Sequence, residues 1–189
     1  MKRRASLLLP LCALLAACED DAVPRPKGWP RLDLPEARYE AWADSTLSLE
    51  KPPYATMIHR KAEAGARWYD LRFPGQRATV HLTYSRVNRD LPQLIEDAHG
   101  FKRKHEAKAT RVRSEHVLRP EARVYGTRFD VEGDVASPCV FYLTDSTRNF
   151  LYGALYFDAP PNADSLSPVT ERMRADIGHL AATLRWSAR

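Results

Sequence analysis

Residues 139–157 constrain the fold of this chain more than any other stretch. Two apolar, aromatic-rich runs are separated there by the polar residues 144–149. Runs of aromatic and β-branched residues on either side of turn-forming residues predict two antiparallel strands. In the first run, Phe141 and Leu143 point to one face, and Val140 and Tyr142 point to the other. A strand that is apolar on both faces belongs in the middle of a sheet, with a layer on each side.

The remaining pattern supplies neighbouring strands and two covering helices. Alternation and turn residues predict strands near residues 55–58, 68–73, 78–84, 110–117 and 124–131. Apolar residues at three- and four-residue spacing predict one helix over 91–105 and another from Pro168 to about Trp186, capped by Ser167. This order predicts an α+β fold, a mostly antiparallel sheet with helices packed against it. If both faces of the central strands are covered, the fold is a three-layer sandwich.

The N-terminus has the pattern of a lipoprotein signal peptide over residues 1–17. A basic start is followed by an apolar segment that is too short to span a bilayer, which takes roughly 20 apolar residues. The segment ends in Leu-Ala-Ala before Cys18, which resembles a bacterial lipobox. In a lipobox, Cys18 receives a thioether-linked diacylglycerol before cleavage. The alternative is an ordinary signal peptide in which Cys18 is incidental.

The composition of residues 18–35 predicts a tether, which is followed by a single domain at 36–189. The tether begins with an acidic run at 19–21 and continues with four prolines. Proline favours an extended, unpaired chain, so this segment is expected to be a semi-rigid spacer. The acidic run is compatible with either retention or surface export, depending on the lineage.

The charge of the chain argues against a nucleic-acid partner. The formal net charge is +5, but Lys2, Arg3 and Arg4 lie in the predicted signal peptide. Without them, the 29 basic residues become 26 against 24 acidic ones, which leaves a net charge of +2. Nucleic-acid surfaces are marked by clustered Lys and Arg, and this chain has no such block interleaved with aromatic residues.

Cysteine and histidine residues show no pattern typical of a disulfide or a metal site. Cys12 lies in the signal peptide and Cys18 carries the lipid, which leaves Cys139 without a partner. A lone Cys in an apolar strand is typical of a core position. No two of the six His residues are three or four residues apart, the spacing of helical metal ligands. We therefore predict no metal site.

One set of residues has the right types for hydrolytic chemistry. Ser146 could act as a nucleophile, His81 as its base and Asp145 as the group that orients the base. Sequence does not place these three side chains together. The alternative is that Asp145 and Ser146 bind the backbone of their own turn, as Asp and Ser commonly do in hairpins. We favour that alternative and predict no catalytic residue.

Residues in the N-terminal third are candidates for contact with a protein partner. Trp29, Arg31 and Trp42 lie in or beside irregular sequence, and aromatic and Arg side chains are frequent anchors in protein interfaces. The alternative is that the two tryptophans are core residues of a segment that wraps around the domain.

These residues resemble a known family, the gliding-motility lipoproteins called GldD, over nearly all of the mature chain. The resemblance rests on the lipobox Cys18 and on the runs PKGWPRLDLP (26–35), VHLTY (80–84), FYLTDST (141–147), GALYF (153–157), PNADSL (161–166) and DIGHL (176–180). The chain departs mildly from the family pattern at 89–90 and 133–137. The order of strands and helices is also similar to PsbP/Mog1-like domains, an analogy at the level of the fold.

The resemblance implies a role in cell movement over surfaces and in the secretion of adhesins by a type IX apparatus of Bacteroidetes-like bacteria. It implies a membrane anchor through Cys18, a globular domain in the periplasm, and other gliding and secretion proteins of the envelope as partners. It implies no catalytic residue and no cofactor. Two hypotheses follow: a non-catalytic accessory or assembly factor that acts by protein contact, and a tethered hydrolase or small-ligand carrier with a pocket formed by His81, Asp145 and Ser146.

Overall fold

The computed structural model describes residues 34, 36–60, 66–106 and 108–187. Within these ranges the chain forms ten strands, two α-helices and two short 3-10 helices. The strands are β1 (Glu40–Ala43), β2 (Leu47–Lys51), β3 (Thr56–Arg60), β4 (Arg67–Phe73), β5 (Ala78–Arg86), β6 (Arg111–Arg119), β7 (Val124–Glu132), β8 (Cys139–Thr144), β9 (Asn149–Phe157) and β10 (Arg185–Trp186). The α-helices are α1 (Leu91–Glu106) and α2 (Ala163–Thr183). Three residues singled out above, Cys18, Trp29 and Arg31, lie outside the described residues.

Seven strands form one antiparallel sheet in the order β3-β4-β5-β9-β8-β7-β6. The interior positions of β8 and β9 confirm the prediction from their apolar faces. Val140 and Phe141 point to opposite faces of β8, and their exposures are 0% and 1%. The register pairs Phe141 with Gly153 of β9, where the ring of Phe141 fills the space that a side chain at 153 would take.

The helices cover the two faces of this sheet. On one face, α1 packs on β7, β8 and β9, and the ring of His99 contacts the ring of Tyr142. On the other face, Met173 and Ile177 of α2 lie in one buried cluster with Phe141. Burying each such apolar side chain stabilises the fold by roughly 1.5–3 kcal/mol. The predicted α+β fold is confirmed, and the helices form layers on both sides of the sheet.

A second, smaller sheet packs on the same side as α2. Its order is β1-β2-β10, and Leu47 and Leu49 of β2 are buried in the core. The sequence shows that Leu47 and Leu49 alternate with polar residues, but it does not show which strand pairs with β2. The partner is distant in the chain, because Trp186 of β10 pairs with Leu47.

The end of α2 differs from the prediction of a helix up to Trp186. The helix ends at Thr183, and Leu184 leaves it with φ −54° and ψ 136°. Arg119 donates hydrogen bonds to the carbonyl oxygens of Ala181 (3.1 Å) and Leu184 (2.9 Å), which have no partner further along the helix. These contacts come from β6, and the next residues, Arg185 and Trp186, pair with β2.

The predicted start of α2 at Pro168 is wrong. The helix starts at Ala163, and the side chain of Asn162 caps it by accepting a hydrogen bond from the backbone N–H of Ser165 at 2.9 Å. Asp164 adds a favourable negative charge to the first turn. Pro168 therefore lies inside the helix, where its missing N–H removes one backbone bond without ending the helix.

Candidate functional site

A cleft of about 750 Å³ lies at one end of the large sheet. Because neighbouring strands are antiparallel, β5 and β8 end at this edge while β4 and β9 begin there. The connection between β6 and β7, the turn between β1 and β2, and β10 complete the wall. The cleft is thus built from segments that are distant in the sequence.

The side chain of Asp145 holds the turn between β8 and β9 at the cleft. Its Oδ1 accepts hydrogen bonds from the backbone N–H groups of Thr147 (2.9 Å), Arg148 (2.7 Å) and Asn149 (2.9 Å). Its Oδ2 accepts a hydrogen bond from the side-chain amide of Asn149 at 2.7 Å. Ser146 completes the turn in the left-handed region, at φ 66°. The turn role proposed for Asp145 from sequence is confirmed.

The pKa of Asp145 reflects this network. Burial alone would raise it, but the backbone N–H groups of Arg148, Asn149 and Thr147 outweigh burial and hold the pKa below its ordinary value. The carboxylate is therefore ionised at neutral pH and its oxygens are already occupied. In the triad considered above, Asp145 would orient His81 through one of these oxygens, but both oxygens accept hydrogen bonds within the turn instead.

Hydrogen bonds fix the turn to the rest of the cleft. The hydroxyl of Tyr84 donates to Oδ1 of Asn149 at 2.7 Å, and the backbone N–H of Val87 donates to the carbonyl oxygen of Arg148 at 2.9 Å. Thr144 donates from its hydroxyl to the carbonyl oxygen of Asn149 at 2.7 Å. Two hydrogen bonds therefore join the end of β5 to the turn, and a third closes the turn itself.

Four arginine side chains line the cleft: Arg67, Arg86, Arg123 and Arg148. Arg123 stands in the left-handed region at φ 51°, and it donates a hydrogen bond to the hydroxyl of Thr147 at 3.2 Å. Its carbonyl oxygen accepts a hydrogen bond from the indole N–H of Trp186 at 3.0 Å. The strained backbone at Arg123 costs of order 1–3 kcal/mol and is therefore held in place by its surroundings.

The positive charge of these arginines is only partly offset. Arg67 donates to the hydroxyl of Ser45 at 2.8 Å and lies 3.6 Å from the carboxylate of Asp44. In the described part of the chain, no carboxylate lies within ion-pair distance of Arg86. Asp145 is the one acidic side chain among the described residues that line the cleft, and the turn uses its oxygens. The arrangement is suited to binding an anion.

The structure does not bring His81 to the cleft. Arg86 lies at the cleft, and His81 lies five residues earlier on β5, which is about 17 Å at roughly 3.4 Å per residue. The ring of His81 contacts Oδ1 of Asp70 at 2.7 Å instead. Ser146 is exposed at its turn. The pocket formed by His81, Asp145 and Ser146 is therefore absent from the described residues.

The family model for the gliding motility lipoprotein GldD matches residues 19–186. The chain belongs to this family. No curated protein matches the chain. The match covers the whole described part up to Trp186, so every segment that lines the cleft except Ser187 falls inside the GldD family region.

Trp42 of this GldD-family chain packs partly into the core. Its ring meets the ring of Tyr69 edge-on at a centroid distance of 5.8 Å and lies 5.6 Å from the ring of His59. The structure thus supports a core contribution for Trp42, while a role of its exposed portion in partner binding stays a prediction.

Cys139 has the features of a core residue. It is fully buried and free, and burial raises the pKa of its thiol well above the ordinary range. A thiolate is the reactive form of cysteine, so this environment opposes reactivity. Among the described side chains, no group of three His, Cys, Asp or Glu residues is arranged to hold a metal ion. No helix in the described ranges has the length and apolar character to cross a bilayer.

The arginine residues of the cleft were missed in the sequence. Each lies at the boundary between a strand and a turn, where a basic residue is usually just solvated. Only the order of the strands shows that these four boundaries meet. A count of arginines at the strand ends of one predicted edge could have indicated the site.

Proposed function

We propose that this GldD-family chain is a lipid-anchored, non-catalytic accessory or assembly factor for gliding motility and the protein secretion associated with it. In this account it acts by contact with other envelope proteins. The single observation that carries the proposal is the cleft, which offers arginine side chains to a partner but holds its one described carboxylate in a turn. Arginine is enriched among the residues that dominate protein interfaces.

The anchor in this account is a diacylglycerol on Cys18. Residues 18–35 would separate the domain from the bilayer, and the domain would face the periplasm. The proline residues of this segment favour an extended chain and so support a spacer role. The membership of a lipoprotein family supports the anchor.

Two observations argue against the hydrolase alternative. The base and the nucleophile need to lie within hydrogen-bond reach of each other, whereas His81 contacts Asp70 at a distance from the turn that contains Ser146. Both oxygens of the Asp145 carboxylate accept hydrogen bonds from its own turn, four in all, and none from a histidine among the described residues.

The test is complementation of a strain that lacks the gene, read as colony spreading and as the amount of secreted adhesin. Cys18→Ser is expected to impair both, because it removes the lipid attachment site. Cys12→Ser is the matched control, since that cysteine leaves with the signal peptide. Ser146→Ala is expected to complement fully. Loss of function in Ser146→Ala together with full function in Cys18→Ser would overturn the proposal.

A further inference from the structure

We infer that the arginine-lined cleft binds an extended, carboxylate-rich segment of a protein partner. The inference rests on the proposed function, because it assigns the surface and the chemistry of the contact through which this chain would act. The observations that carry it are the charge of the cleft, the spacing of the strands whose ends supply its arginine residues, and the aromatic side chains beside them.

The charge of the cleft selects an anionic ligand. Four arginine side chains line the cleft with one described acidic residue, Asp145, whose oxygens accept N–H donors of the turn. Asp44, beside the cleft, lies 3.6 Å from Arg67 and offsets part of this charge. Arg86 has no acidic partner among the described residues. Guanidinium groups bind carboxylates through paired, charge-assisted hydrogen bonds.

The spread of the arginines favours an extended ligand over a compact one. Arg67 opens β4 and Arg123 directly precedes β7, and these strands are four steps apart in the sheet. At about 4.8 Å per step, the two backbones are separated by about 19 Å. One phosphate or one lipid headgroup reaches only part of that distance. About six residues of extended chain, at roughly 3.3 Å each, cover all of it.

The other lining groups suit a peptide. Trp186 and Tyr84 line the cleft beside the arginines, and aromatic side chains with Arg are typical of the centres of protein interfaces. The site therefore combines charge selection with surface for the segment between the acidic groups.

Tyr39 and the cleft lie at opposite ends of β1. Tyr39 precedes β1 and stacks on His179 of α2, with ring centroids 3.5 Å apart. β1 then runs from Glu40 to Ala43, and the turn after it, with Ser45, lines the cleft.

The first test measures binding of a fluorescent peptide of alternating Asp and Ser residues to the full lipidated chain in non-ionic detergent. Fluorescence anisotropy at low ionic strength is expected to show binding, and a matched peptide with Asn in place of Asp is expected to show none. Arg86→Gln combined with Arg148→Gln is expected to weaken binding about fivefold, as for the loss of two exposed ion pairs. Added salt is expected to weaken it further by screening.

The matched control removes two arginines at the opposite end of the sheet, Arg111→Gln with Arg113→Gln. It is expected to leave binding unchanged. Equal binding of the Asn peptide, or equal losses in the two double variants, would overturn the inference. So would displacement of the peptide by soluble short-chain phosphatidylglycerol at lower concentration than by free Asp peptide, since that result would assign the cleft to a lipid headgroup.

The second test separates this inference from the proposed function. A photo-reactive amino acid is placed in living cells either at Thr147, which lines the cleft, or at Leu118, which is 72% exposed on β6. Crosslinks to envelope proteins from position 147 but not from 118 support the inference. Crosslinks from 118 alone support a contact role and overturn the assignment of the cleft. Crosslinks from neither position contradict both.

Discussion

Asp145 and Asn149 close the turn at the cleft through two hydrogen bonds with each other. One carboxylate oxygen of Asp145 accepts the backbone N–H of Asn149 at 2.9 Å, and the other accepts its side-chain amide at 2.7 Å. Asn149 in turn accepts the hydroxyl of Tyr84. The acid that looks most like a catalytic group in the sequence is therefore part of the framework that sets the shape of the cleft.

Replacement of Asp145 is expected to destabilise the fold. Asp145→Ala leaves several N–H groups of the turn without their acceptor, and hydrogen bonds to a charged group contribute about 1.5–3 kcal/mol each to stability. We expect a loss of at least about 2 kcal/mol in the free energy of unfolding, measured by urea denaturation at pH 7. Asp158→Ala, which changes an exposed acid, should alter it by less than about 0.5 kcal/mol. A loss in Asp145→Ala no larger than in this control would contradict the role of Asp145.

The loss of unfolding free energy in Asp145→Ala is expected to depend on pH in one direction. The pKa of Asp145 is lower in the folded chain than in the unfolded one, where it is about 3.9. The stability contributed by this group is therefore fully present above that unfolded value and is lost as the pH falls through the lower folded value. The difference between the natural chain and Asp145→Ala should shrink in acid. A difference that grows below pH 4 would be inconsistent with the lowered pKa.

Ser146 is expected to tolerate glycine better than alanine. Its φ of 66° lies in the left-handed region, which costs a residue with a side chain roughly 1–2 kcal/mol and glycine very little. Since glycine also makes the unfolded chain more flexible, Ser146→Gly should raise the free energy of unfolding by about 0.5–1 kcal/mol. Ser146→Ala keeps the strain and should leave it nearly unchanged. Thermal and urea denaturation of the two variants compare them directly, and a more stable Ala variant would rule out the strained turn.

Gly126 is expected to be intolerant of any side chain. A Cβ at this position of β7 would lie 1.9 Å from the carbonyl oxygen of Tyr142 in β8. Because that atom belongs to the backbone of an interior strand, Gly126→Ala should cost about 2–3 kcal/mol, as overpacking does elsewhere. Gly75→Ala is the control, since it has open space around it and should cost nothing. Similar melting temperatures for the two variants would show that β7 and β8 are not this close.

Tyr39 is expected to make the fold sensitive to alkali. Burial, together with a 2.9 Å hydrogen bond to Asp176, raises the pKa of Tyr39 to about 12. The stability that this group contributes is fully present below its unfolded pKa of about 10 and is lost as the pH rises through about 12. The Tyr39→Phe variant should therefore lose less of its free energy of unfolding than the natural chain as the pH rises from about 10 to about 12. Urea unfolding of both proteins between pH 9 and 12 measures it, and parallel curves would refute the raised pKa.

Local sequence patterns predict most of the large sheet. They fail where contact with a distant segment of the chain determines the local structure. Residues 139–157 are apolar on both faces, which is enough to place β8 and β9 inside the sheet. The apolar spacing of α2 continues to Leu184, and so the sequence predicts a helix to about Trp186 that includes β10. At the end of the helix, the carbonyl oxygens of Ala181 and Leu184 accept hydrogen bonds from Arg119, which lies far away in the sequence. The start of α2 was visible in principle, since Asn162 is a good N-cap, but the Ser167–Pro168 pair gave a competing signal.

The sequence predicts individual segments of the candidate site, but it does not show that these segments meet in the fold. The polar turn at 144–149 was visible in the sequence, and its local hydrogen bonds follow from the preferences of Asp and Thr for turns. The meeting of that turn with Arg67, Arg86 and Arg123 depends on the order of strands, which no local pattern contains. The same order separates His81 from the turn.

Recovery of partners from living cells tests the central claim most directly. Cells that express the tagged chain are crosslinked, and the chain is purified from membranes beside its Cys18→Ser and Cys12→Ser variants. A contact-based, lipid-anchored role predicts that envelope proteins of the gliding and secretion apparatus are recovered with the natural chain and with Cys12→Ser, and are lost with Cys18→Ser. Recovery of the chain alone in all three samples would contradict it.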